Sequence, residues 1–133
     1  MEAPGIIISY DELRILLYNR GFRSCKGILM PDRKMSEKEI LQILHKLEGR
    51  GMIEAGDEYF TISREMQRIV DLIGAPESSY AFSDSLTGQT YYCYMSHELI
   101  IVTLNDRNRK KTLVIKKFTP DEFNTWREEL EKE

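Results

Sequence analysis

Apolar residues recur at three- and four-residue spacings through the first half of the chain and at alternate positions through most of the second. The first pattern is that of amphipathic helices, the second that of half-buried strands. A shared local device opens three of the helical segments: a hydroxyl residue at the N-cap and a glutamate three residues later, so that each side chain satisfies an orphan backbone N–H of the first turn. Ser9 with Glu12 opens a helix that carries Leu13, Leu16 and Leu17 on one face and stops at Gly21. Ser36 with Glu39 opens a second, with Ile40, Leu44 and Leu47 as its apolar stripe and Gly51 at its end. Thr119 with Glu122 opens the last, where Pro120 takes the favoured first position and Phe123, Trp126 and Leu130 line one face. A further helix capped by Ser63 holds Met66, Ile69, Val70 and Ile73 and ends at Gly74 and Pro76. Between the first two helices, Phe22 to Lys34 reads as a loop with a short helical turn, punctuated by Gly27, Pro31 and Asp32.

Two short β-prone runs between Met52 and Ile62 surround a Gly56-Asp57 turn and predict a small hairpin. After a polar linker at Glu77, Ser78 and Ser79, period-two sequence predicts strands over Tyr80–Phe82, Thr90–Met95, Leu99–Leu104 and Lys111–Phe118. Their short polar connections predict an antiparallel meander. The expected fold class is therefore α+β, one domain over 1–133, with a helical half over 5–76 and the meander plus terminal helix over 80–133. In the third strand Leu99 and Ile101 point one way and Ile100, Val102 and Leu104 the other, so both faces are apolar. One terminal helix covers one face, and the other must lie against the N-terminal helices or a second molecule.

Composition narrows the function classes. The longest apolar runs fall far short of the roughly 20 residues that span a bilayer, and the Glu2, Pro4 and Ile6-Ile7-Ile8 start lacks a basic leader or cleavage site, so the expectation is a cytoplasmic protein with no membrane contact. Cys25 and Cys93, far apart and not in a C-x-x-C, read as reduced structural thiols. A net charge of −3 disfavours nucleic acid without excluding it.

No catalytic signature is present. His45 lies mid-helix without metal-ligand spacing, His97 sits in a turn, and the scattered glycines form no phosphate loop or G-x-S-x-G elbow, so neither enzyme activity, cofactor nor metal is expected. Asp57-Glu58 and Asp121-Glu122 read as a solvated turn and a dipole-favourable first helical turn. The basic run Arg107, Arg109, Lys110 and Lys111 reads as a solvated hairpin tip, with phosphate attraction as its functional alternative. In Tyr91, Tyr92 and Tyr94 the first reading is core packing. As a contact surface, Tyr92 and Tyr94 form the exposed pair, because they share a face opposite Tyr91, Cys93 and Met95.

Ser36 to Leu72, with Leu47-Glu48-Gly49-Arg50-Gly51-Met52-Ile53 between helix and hairpin, resembles a winged-helix module of small bacterial transcriptional regulators. That resemblance implies DNA binding through Lys38, Gln42, His45, Lys46 and Arg50, against which stand Glu37, Glu39 and the acidic wing tip Asp57-Glu58. A second resemblance spans nearly the whole chain. Asp11-Glu12-Leu13 with Leu16 and Leu17, Leu29-Met30-Pro31, Arg50-Gly51-Met52 and Ala75-Pro76 before the meander resemble one half of the EspG-like accessory proteins of type VII (ESX) secretion. It implies a non-enzymatic cytosolic chaperone for secreted helical substrates. That family holds two related halves where this chain supplies one, which points to a homodimer. The functional expectation is a protein-interaction module that touches a protein partner through Tyr92, Tyr94, Ile100 and Val102, with the DNA-binding regulator as alternative.

Overall fold

The computed structural model describes residues 5–28, 34–56, 59–106 and 108–131. Glu2 and Pro4, Leu29 to Asp32 of the expected loop, Asp57 and Glu58 of the expected wing tip, and Arg107 of the basic run lie outside the described residues. In chain order the elements are β1 (Gly5–Ser9), α1 (Tyr10–Asn19), α2 (Glu37–Gly49), β2 (Ile53–Ala55), β3 (Phe60–Ile62), α3 (Arg64–Gly74), β4 (Ser78–Ser83), β5 (Thr90–Met95), β6 (Ile100–Asn105), β7 (Thr112–Phe118) and α4 (Pro120–Glu131). The fold is α+β, as the sequence patterns predict. Contacts divide the chain into two compact units, one of Tyr10–Gly74, the other of the segment up to Ser9 with everything from Ala75 onward.

In the helical unit, α1 packs on α2 and α3, and α2 packs on β2 of the β2–β3 hairpin. Leu13, Leu16, Leu17, Leu47, Ile69, Val70 and Ile73 are all essentially inaccessible. The helix boundaries follow the caps. Ser36 Oγ accepts from the Glu39 N–H at 3.1 Å while Glu39 Oε1 accepts from the Ser36 N–H at 3.3 Å, a complete capping box. At the far end Gly51, with φ of 73°, lets the Met52 N–H reach back to the Leu47 carbonyl at 3.0 Å, and Gly21 (φ 90°) does the same for Phe22 and Leu17. A bidentate pair, Arg20 Nε and Nη2 to the two Asp71 carboxylate oxygens at 2.8 Å each, ties the end of α1 to α3.

The sheet unit departs from the sequence reading at two points, the first being that Ser78 and Ser79, read as linker, are paired with Met95 and Tyr94 as the start of β4. The meander β4–β5–β6–β7 forms in the expected order, but Gly5–Ser9, read with the helical half, joins it as a fifth strand paired antiparallel with β7. On one face α4 lies over Tyr91, Cys93, Ile100, Val102 and Phe118, adding Phe123 and Trp126 to a single cluster. Trp126 sits at its centre, edge-on to Tyr91 (5.3 Å between ring centroids) and stacked on Phe118 (5.1 Å). On the opposite face Ile8, Tyr94, Ile101, Thr103, Leu113 and Ile115 are buried as well.

The box at the start of α4 carries a pH dependence. Glu122 Oε1 accepts the Thr119 N–H at 2.9 Å, and the Glu122 N–H donates to Thr119 Oγ1 at 3.2 Å. Hydrogen bonding from the Thr119 backbone, then from its side chain, holds the Glu122 carboxyl below its ordinary pKa. A carboxylate depressed in the folded state stabilises fully above its unfolded pKa and loses that contribution as pH falls through the folded one. Wild-type stability is therefore expected to fall more steeply on acidification than that of Glu122→Ala, measured by urea unfolding across the carboxylate range; parallel curves would mean the box contributes nothing.

Candidate functional site

The residues expected to touch a partner through the meander do not form a surface. Tyr94 is 1% exposed, which corrects the expectation that it is accessible. Ile100 and Val102 belong to the cluster beneath α4 and are equally closed off. Of the four, Tyr92 alone is half-buried rather than buried. The reason lies in the register: Tyr94 stands opposite Ile101 in the middle of the sheet, whereas Tyr92 stands opposite Thr103 on one side and Ala81 of the outer strand β4 on the other.

The residues of the DNA-binding alternative are displayed. Lys38, Gln42 and Lys46 follow one another at four-residue spacing along α2, exposed on one stripe with His45 beside them. Arg50 is drawn off that stripe, its guanidinium 3.5 Å from Glu12, whose side chain is 11% exposed. The same helix exposes Glu37 and Glu48, so its surface is of mixed sign.

A feature that sequence reasoning missed lies on the flank of α2. This helix carries Ile40, Leu41, Ile43, Leu44 and Leu47, yet only Leu47 is buried. Leu41 is 59% exposed and Tyr59, on the hairpin, 74% exposed. A groove between helix and hairpin is lined by Leu41 and Leu44 of α2 and by Ile53, Tyr59 and Phe60 of the hairpin. Asn19, His45 and Glu48 stand at its polar margin, and Glu48 also accepts the Ala55 N–H at 3.3 Å, fixing the hairpin to the helix. The available signal was one position: Ile40, Ile43, Leu44 and Leu47 recur at i, i+3, i+4 and i+7 as a single stripe, and Leu41 stands beside it as an extra aliphatic residue.

The remaining candidates for chemistry are dispersed. His97, in the β5–β6 turn, lies between Glu77 (3.3 Å) and Glu98 (3.6 Å) and is strongly exposed, while His45 is on the other unit. Burial pushes the Cys25 and Cys93 thiols up to about 11, which keeps both protonated and poorly nucleophilic near neutral pH. Among the described residues no group of three or more His, Cys, Asp or Glu could hold a metal ion, and no helix is long and apolar enough to cross a membrane. Arg109, Lys110 and Lys111 stand exposed around the β6–β7 turn, where Lys111 takes a left-handed φ of 56°. Compared with protein-family models, with curated proteins and with solved structures, the chain matches none of them.

Proposed function

We propose that the chain is a non-catalytic protein-interaction module, a cytoplasmic adaptor acting as a homodimer, which receives an amphipathic helix of a protein partner in the groove between α2 and the β2–β3 hairpin. The observation that carries this is the under-covered helix: of five aliphatic residues on α2 only Leu47 is buried, and the exposed Leu41 and Tyr59 line one groove with Leu44, Ile53 and Phe60. An exposed apolar helix flank beside a hairpin suits the helix-in-groove mode, in which anchors at i, i+3, i+4 and i+7 fill a cleft. Tyrosine and leucine lining it supply contact area, and Lys38 and Lys46, which with Leu41 line the adjoining surface of α2, suit glutamates on the partner's flank. The resemblance to one half of the EspG-like chaperones supports a secretion-associated adaptor with a helical substrate.

The test uses a fluorescein-labelled amphipathic peptide with leucines at i, i+3, i+4 and i+7 and glutamates on one polar flank, titrated against the full chain by anisotropy. Leu41→Asp and Tyr59→Ala each remove an exposed anchor and are expected to weaken binding at least about tenfold, the effect of losing roughly 1.4 kcal/mol, with unchanged far-UV circular dichroism. Equal affinity in wild type and both variants would remove the groove from consideration.

The DNA-binding reading is favoured by one observation, the exposed stripe of Lys38, Gln42 and Lys46. Glu37 and Glu48 on the same helix, and the pairing of Arg50 with Glu12, weigh against it.

A further inference from the structure

We propose that the outer edge of β4 is a self-complementary strand through which two copies of this chain join their sheets. It specifies the surface of the homodimer in the function proposed above, rests on that part of the reading, and is independent of the groove. In the sheet order β1-β7-β6-β5-β4, strand β4 is outermost and, among the described residues, pairs only with β5. The Asp84 N–H donates to the Gln89 carbonyl at 2.8 Å, in the register that pairs Ser83 with Thr90. Residues that exchange ladder hydrogen bonds alternate along a strand, so the N–H and C=O groups of Ser79, Ala81 and Ser83 point away from β5. Outer strands that stay unpaired are usually blunted by a lysine, a proline or a bulge. β4 has none: it reads Ser-Ser-Tyr-Ala-Phe-Ser in six regular pairs with β5.

What identifies the occupant as a second copy is the symmetry of the strand. From Ser79 to Ser83 the order is Ser, aromatic, Ala, aromatic, Ser, the same in both directions. Antiparallel pairing about a two-fold axis at Ala81 sets Ala81 against Ala81, Ser79 against Ser83 and Tyr80 against Phe82, each pair on one face as the pleat requires. The outward hydrogen-bonding groups of Ser79, Ala81 and Ser83 then all find partners. Tyr80, 42% exposed, extends the row of rings formed by Phe82 (6.1 Å), Tyr91 and Trp126 across the junction. The other outer strand, β1, is also uncharged, but it runs directly into α1 at Tyr10 and carries no aromatic residue to extend that row.

The test is sedimentation velocity of the full chain with two variants at the axis. Ala81→Pro removes only an outward N–H, a change that outer strands tolerate, and Ala81→Lys opposes two like charges. Wild type is expected as a dimer, and Ala81→Pro is expected to raise its dissociation constant roughly 100-fold by removing the central hydrogen bonds, with circular dichroism unchanged. The register is read by cysteine cross-linking in a Cys25→Ser background. Ala81→Cys places two Cα atoms about 5.5 Å apart, within disulfide range, and is expected to form an oxidised dimer that Ser83→Cys does not. A monomer at all concentrations, a dimer indifferent to both Ala81 variants, or cross-linking through Ile7→Cys in place of Ala81→Cys would overturn the proposal. Leu41→Asp leaves this dimer intact, so failure of the groove and failure of the edge are separately visible.

Discussion

Replacing Trp126 with alanine is expected to destabilise the protein by about 3–5 kcal/mol, the cost of deleting a buried indole whose neighbours cannot collapse into the space. Trp126 is 6% exposed and meets Phe82, Tyr91, Phe118 and Phe123 with ring centroids between 5.1 and 6.0 Å. Arg127, the next residue, lies 3.7 Å from the Phe82 ring centroid and closes the margin of the cluster. With the total stability of such a domain at about 5–15 kcal/mol, the loss is a large fraction, and the urea midpoint should fall by about 2 M for a slope near 2 kcal/mol/M. A loss below about 1 kcal/mol would show that α4 is not docked on this face of the sheet.

The second large effect separates two tyrosines that sequence alternation treats alike. Tyr94→Ala is expected to cost about 3–5 kcal/mol, as for other large buried aromatic truncations, because the side chain is 1% exposed in the centre of the sheet. Tyr92→Ala, at a half-buried position next to the outer strand, is expected to stay within about 1 kcal/mol. Urea unfolding of the two variants side by side checks this. Similar small losses would place both rings at the surface.

Much of the architecture was legible because it is written in local chemistry. The hydroxyl–glutamate boxes at Ser36 and Thr119, the cap at Ser63 and the left-handed glycines 21 and 51 each act within a single turn, and each sits where the sequence places it. The fifth strand was not legible: Ile6-Ile7-Ile8 is too short for a periodicity, and its partner, β7, lies more than a hundred residues away. The burial of Tyr94 was half legible. Once β6 reads as apolar on both faces, a tyrosine opposite Ile101 must share its burial, but that step needs the register, which short turns constrain and composition does not. Ile100 and Val102 had the same flaw as contact residues, since the apolar character that drew attention to them also puts them in the core. Leu41 and Tyr59 were readable only as a surplus, and their place in one groove is a tertiary fact.

The measurement that tests the central claim most directly is a pair of fluorescence-anisotropy titrations, in which the labelled amphipathic peptide and a labelled random DNA duplex are each titrated with the full chain at low and moderate salt. A protein-binding groove gives peptide binding that moderate salt weakens only modestly, through the exposed Lys38 and Lys46, and that Leu41→Asp weakens at least about tenfold, with no duplex binding even at low salt. Duplex binding that falls steeply with salt and is lost in Lys38→Glu and Lys46→Glu, with no peptide binding, would contradict it and make α2 a DNA-reading helix.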